Sequence, residues 1–198
     1  MKKNQSIRNN ATGETLAMLV SEEENGGACR LYEVRLPPHR PGSPLHYHVD
    51  FIETFTVKQG KLDIYVDRDQ KHLLLQPAES ATAQIRQLHR FANEHDEPVI
   101  FTIKTKPAGG VVKAFQLAHG IANDGGAARD GLPKNVIARF VFFKTTQGYL
   151  PGIPRALQRI AFSCAALVAR VGGTMKKVAS LFHLDGCLGT AQPVRRPP

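Results

Sequence analysis

Cysteine is scarce in this chain. Cys29, Cys164 and Cys187 are too few and too scattered for a disulfide scaffold or a zinc knuckle. At least one thiol stays unpaired within a monomer, and the set fits a reducing compartment. Long apolar runs are missing as well. Nothing approaches the roughly 18 consecutive apolar residues a membrane-spanning helix needs. The opening MKKNQSIRNN carries two lysines, but no apolar stretch follows them, so a signal peptide is not expected. Cytoplasmic is the expected location. Glutamate is absent beyond Glu97. Residues 107–198 hold 12 basic and 3 acidic side chains, whereas residues 1–106 hold 14 of each. The net charge of +9 therefore sits wholly in the C-terminal part, the first sign of two unlike regions.

What is present suits one large domain, or one domain with an appendage: 198 residues, 42% apolar and 22% charged. Collagen-like, coiled-coil and wholly disordered chains are excluded by that composition. The first half reads as short strands separated by turns: TLAMLV (15–20), ACRLYEVRL (28–36), LHYHV (45–49), ETFTV (53–57), LDIYV (62–66), KHLLLQ (71–76), HRFAN (89–93) and PVIFTIKTK (98–106), with ESATAQI (79–85) weaker. The spacing favours antiparallel sheets over βαβ units. PPHRPGSP (37–44) reads as an irregular loop.

After Pro107 the pattern changes. Residues 111–122 suit a helix. Residues 133–145 suit a helix with Pro133 in its first turn, or a buried strand. Residues 153–173 read as a helix bounded by Pro154 and Gly172–Gly173. Its apolar stripe is Leu157, Ile160, Cys164, Leu167, Val168 and Val171, with Arg155, Arg159 and Arg170 largely apart from it. That stripe is expected to pack on the β region, as are Phe140, Phe142 and Phe143, which would otherwise serve a homodimer. An anionic membrane surface or a partner groove is the other use for a basic amphipathic helix. No reader motif for nucleic acid is visible, so the basic charge is not assigned to that partner.

The sharpest chemical feature is His46, His48 and Glu53. Residues two apart on a strand point to one side, so His46 and His48 present two imidazoles on one face. Asp50–Ile52 can turn the chain and bring Glu53 in from the next strand. His89 is a fourth donor in a later segment, and spacing alone leaves its position open. Three imidazoles and a carboxylate suit one divalent transition metal (Fe, Mn, Ni, Co or Zn), with one or two positions left for water or ligand. His39, His72, His95, His119 and His183 lack this arrangement and read as loop, surface or packing residues.

The segment HYHVDFIETFTVKQGKL resembles the first motif of the cupin superfamily, with four residues between His48 and Glu53 and six between Glu53 and Gly60. LHRFANE resembles the end of the second motif, supplying His89 and Asn93. Two places differ from the family pattern. Arg40 stands where the first motif has glycine, and Gln84 and Arg86 stand where the second has proline and glycine. The resemblance covers roughly residues 7–106. It implies an all-β fold, the double-stranded β-helix or jelly-roll barrel of small single-domain cupins, with a mostly helical C-terminal extension. The expected division is a β-barrel domain at 1–106, a helical extension at 107–178 packed on it, and a flexible tail at 179–198. By resemblance His46, His48, Glu53 and His89 are the metal ligands. Phe55, Val57, Phe91 and Asn93 are then expected to line the pocket of a small organic molecule, and a homodimer is implied. The function expected is a metal-binding cupin, with a metal-dependent oxygenase as the enzymatic form. A non-catalytic module that binds a small molecule or a partner is the alternative.

Overall fold

A computed structural model describes residues 1–171. Ten strands come first: β1 (Ser6–Arg8), β2 (Thr15–Val20), β3 (Arg30–Leu36), β4 (Tyr47–His48), β5 (Ile52–Gln59), β6 (Leu62–Val66), β7 (Lys71–Leu75), β8 (Ser80–Ala83), β9 (His89–Ala92) and β10 (Val99–Lys106). Helices α1 (Val111–Asn123) and α2 (Val136–Thr146), the short strand β11 (Gly148–Tyr149) and helix α3 (Arg155–Val171) follow. The expected tail, and the part of the expected extension after residue 171, lie outside the described residues, as does the Gly172–Gly173 stop.

A six-stranded antiparallel sheet runs in the order β1-β2-β3-β10-β5-β8, and a three-stranded sheet in the order β7-β6-β9. Alternation sorts the side chains of β5. Glu53, Phe55 and Val57 face inward, while Thr54 and Thr56 face outward and bond Thr82 and Ser80 on β8 at 2.9 and 2.8 Å. Val99, Phe101, Ile103 and Thr105 do the same for β10, the strand flanked by β3 and β5. Both sheets feed one core, in which the Phe91 ring of β9 meets Phe55 and Phe101 at centroid separations of 5.9 and 5.3 Å.

The expected all-β barrel is not what forms. Neither sheet closes on itself: β1 and β8 are edges of one sheet, and β7 and β9 are edges of the other. The residues facing the free side of β9 explain one opening. Only isolated bridges form there, Arg40 to Asn93 and His46 to His89. Pro41 and Pro44 lie between those bridges and have no N–H to give to a ladder. Gly42, at φ +61°, presses so closely on the Phe91 carbonyl and ring that a Cβ would collide with both. The fold is also not all-β, since helices of 13, 11 and 17 residues build two further apolar clusters.

The ambiguous segment after Pro133 is helical. Asn135 caps α2, its side chain accepting from Ile137 N and Ala138 N at 2.9 and 3.1 Å, and Pro133 precedes the cap. Phe142 and Phe143 of α2 bury against Ala114 and Ala118 of α1 and Phe162 of α3. Helix α3 turns a different face inward from the one its large apolar residues suggest. Gln158, Phe162, Ala165 and Ala169 are buried, whereas Leu157, Ile160, Leu167, Val168 and Val171 are all more than half exposed. Small residues let α3 approach α2 closely. Gln158 fixes its start, donating to Leu150 O and Ile153 O and accepting from Leu150 N at 2.8–3.0 Å. No helix among the described residues is long and apolar enough to cross a membrane.

Candidate metal centre

His46, His48, Glu53 and His89 converge, each offering one donor atom, and the four atoms lie within 4.8 Å of one another. His48 stands on β4, Glu53 is the second residue of β5, His89 opens β9, and His46 is joined to His89 by two backbone hydrogen bonds of 3.0 and 2.8 Å. His46 Nε2 is 3.0 Å from His48 Nε2. Glu53 Oε2 is 3.1 Å from His89 Nε2 and 3.6 Å from His48 Nε2. Ligands about 2.1 Å from one ion are separated by about 3.0–3.4 Å at octahedral or tetrahedral angles; the 3.0 and 3.1 Å separations are those of neighbouring ligands, and the 3.6 Å one is slightly wider.

The other ring nitrogen of each imidazole meets a backbone carbonyl. His46 Nδ1 faces Pro44 O at 2.7 Å, His89 Nδ1 faces Gln87 O at 3.0 Å, and His48 Nδ1 faces Gln147 O at 3.3 Å. A carbonyl only accepts, so each Nδ1 carries a proton, and each Nε2 is the atom turned toward the centre of the cluster. Carbonyls in that position orient metal-ligating histidines and fix their tautomer. The third carbonyl comes from the helical region: Gln147 ends α2, and β11 then pairs Gly148 with His48 and Tyr149 with Tyr47.

Burial, followed by the charges of His89 and His48, holds the His46 imidazole well below its usual pKa. Burial alone would raise Glu53, but the charge of His48 and hydrogen bonds from His48 and His89 outweigh it and keep the carboxylate ionised. The cluster thus gathers three imidazoles around one anionic oxygen, a donor set able to hold a divalent ion.

His46, His48 and Glu53 reach the wall of a cavity between the sheets and the helices. Of the four expected pocket residues, Phe91 lies on that wall; Phe55, Val57 and Asn93 do not. Phe55 and Val57 are core, 1% exposed each. Asn93 clamps a loop, donating to Leu36 O, Pro37 O and Glu97 O at 3.2, 3.0 and 2.9 Å and accepting from His95 N. Tyr47, Asp50 and Tyr65, adjacent in sequence to the ligands, point elsewhere: Tyr47 stacks on Tyr149, Asp50 accepts from Gln147, and Tyr65 donates to Glu94.

The helices and the N-terminal segment supply much of the wall. Glu14, Tyr32 and His119 line it, together with Val111 and Phe115 of α1 and Phe142 of α2. None of the three polar groups stands out in the sequence as a site residue. Glu14 sits in a turn, Tyr32 alternates within a strand like any core residue, and His119 reads as packing. The one signal available is the pairing of a histidine with an otherwise apolar helix face, which is weak.

Residues 32–103 match the family described as "Cupin domain". A search of functionally curated proteins found no match. Among solved structures the chain is similar to KdgF from a Halomonas species, at 14% identity over 48% of this chain and 79% of that one (TM-score 0.42). It is similar to a sugar phosphate isomerase of the cupin superfamily from Silicibacter pomeroyi, at 24% identity over 52% and 70% (TM-score 0.44). A third is a predicted oxalate decarboxylase from Thermotoga maritima, at 19% identity over 53% and 92% (TM-score 0.44). All four clustered donors lie within the segment, residues 32–103, that matches the cupin domain family.

Proposed function

We infer that this chain binds one divalent transition metal through His46, His48, Glu53 and His89 and acts on a small organic substrate held in the adjacent cavity. The observation that carries the reading is the 3.0 Å approach of His46 Nε2 to His48 Nε2 while both Nδ1 atoms face carbonyls. Two Nε2 atoms at that distance, beside a carboxylate, need a proton or a metal ion between them, and a divalent ion serves all four donors at once. When bound, the ion supplies Lewis acidity and, if it is iron, the redox capacity for oxygen chemistry. The chain's own residues do the rest. The three carbonyls hold the imidazoles in the ligating tautomer, Glu53 neutralises half of the ion's charge, and Phe91, Phe115 and Phe142 exclude water from the cavity. A metal-dependent oxygenase is the enzymatic form that a mixed N/O set with free positions supports best.

Elemental analysis of untagged protein prepared without added metal tests this. About one transition metal per chain is expected, lost in His46→Ala and His89→Ala variants that remain folded by circular dichroism. Iron together with substrate-dependent oxygen uptake supports the oxygenase. Redox-inert metal without oxygen uptake overturns that reaction class, and metal-free protein that takes up none of the five candidate ions overturns the centre.

A second reading, a binding module, is supported by α3. Its exposed apolar stripe is accompanied by Arg155, Arg159 and Arg170, with no acidic residue on the helix. Apolar contact plus positive charge suits an anionic bilayer. Co-sedimentation with phosphatidylserine-containing vesicles but not with neutral ones, lost in Leu167→Gln, supports this reading. Binding to neither overturns it.

A further inference from the structure

The cavity holds more unpaired polarity than the four clustered donors account for. Glu14 Oε1, Tyr32 Oη and both ring nitrogens of His119 are buried without a hydrogen-bond partner. All three residues line the same hollow. They are 9%, 0% and 2% exposed. Nearly all buried polar groups in folded proteins are paired, because an unpaired one forfeits its hydration for nothing. Three such groups from separate parts of the chain, converging on one cavity, are the arrangement a ligand completes.

Their placement is built. Asn10 N donates to Asn123 Oδ1 at 2.9 Å, and Asn123 Nδ2 donates to Arg8 O at 3.0 Å, tying the start of the chain to the end of α1. Asn9 Nδ2 reaches Gly131 O, and Asn9 N bonds Glu14 O at 2.8 Å, closing the turn that carries Glu14. A Cβ on Gly110 would strike the Thr145 carbonyl, so α1 begins tightly against the end of α2. Phe115 meets the His119 ring edge-on at 5.5 Å.

We propose that Glu14, Tyr32 and His119 form a polar subsite beside the metal centre that takes a small uncharged molecule bearing both a hydroxyl and a carbonyl group. The subsite rests on the metal-centre reading for the ligand's other end. Burial lowers His119 to about 4, so the imidazole is neutral and offers one N–H and one lone pair. Burial raises Glu14 to about 7, so its carboxyl donates or accepts near neutral pH. The Tyr32 hydroxyl does both. Matched donors and acceptors with no fixed cation favour a neutral ligand. No lysine or arginine among the described residues lines the cavity, and a carboxylate or phosphate seated in the subsite would face Glu14. The space open to water centres is about 60 Å3. That is room for a small organic molecule. Glu14 and His119 lie outside residues 32–103, so selectivity resides in parts of the chain beyond the matched cupin domain.

The test uses the full chain loaded with Co(II), read by visible absorption and titration calorimetry, with hydroxyacetone as the probe and pyruvate as the charged comparator of similar size. Hydroxyacetone is expected to perturb the Co(II) spectrum and to bind at least tenfold more tightly than pyruvate. Glu14→Leu and His119→Leu are expected to weaken hydroxyacetone at least tenfold, to leave Co(II) affinity within twofold, and to raise the melting temperature of the ligand-free protein. A merely structural role predicts the opposite for stability. Co(II) uptake with no hydroxyacetone binding, with undiminished binding in both variants, or with tighter pyruvate binding overturns the subsite. No Co(II) uptake by the wild-type chain overturns the metal centre, and the subsite with it.

Discussion

Replacing Glu14 by glutamine isolates the cost of keeping an unpaired carboxyl in the cavity. Burial carries this group from 4.5 in the unfolded chain to about 7 in the fold. The folded value is the higher one, so the associated stability is fully present below pH 4.5 and is lost as pH rises through about 7. At 1.36 kcal/mol per pH unit the loss amounts to about 3 kcal/mol, complete by about pH 8. Glutamine keeps the shape and cannot ionise. Urea unfolding of metal-free wild type and Glu14→Gln, run side by side from pH 4 to 9, cancels the titrations the two proteins share. The variant's stability relative to wild type is expected to climb by about 3 kcal/mol across that interval. For a chain this long that corresponds to roughly 6–12 °C in melting temperature at pH 8. Parallel profiles between pH 5 and 8 would falsify the argument, because they would mean that Glu14 is solvated or paired in the fold.

His119 predicts the mirror image. Burial lowers it from 6.5 to about 4, so its contribution is present above pH 6.5 and is lost as pH falls through 4. His119→Leu should remove about 3 kcal/mol of acid sensitivity from the same unfolding series. Phe162→Ala should cost about 3–5 kcal/mol and Leu167→Ala less than about 0.5, measured by urea midpoint, because only Phe162 faces the helical core. Equal losses would show that α3 buries its large-residue stripe after all. Asn93→Ala should cost about 2–4 kcal/mol without changing metal content, since three carbonyls lose their donor and none of them is a carbonyl that faces a ligand imidazole.

The difference between what the sequence discloses and what it conceals follows from how far each feature reaches along the chain. His46 and His48 share a face because alternation is a two-residue rule, and the turn to Glu53 is equally local. His89 is legible only through its motif, since the backbone bonds to His46 that deliver it span more than forty residues. Sheet closure at β9 is decided at its free edge, where proline positions and loop packing act, and strand periodicity carries no information about edges. In α3 the periodicity is real but names the wrong face. Large side chains stand out in a sequence, whereas Ala165 and Ala169 mark the contact because close helix approach needs small ones. Glu14 and His119 obey no period at all. Each ends up buried and unpaired because a separate set of contacts, the Asn9 turn for one and the docking of α1 for the other, carries it to the same hollow. A fold stabilised only for its own sake would gain by placing leucine at both positions. That it keeps a carboxyl and an imidazole there, on the wall that His46, His48 and Glu53 also reach, ties the helical region to the chemistry of the cupin segment and not merely to its packing.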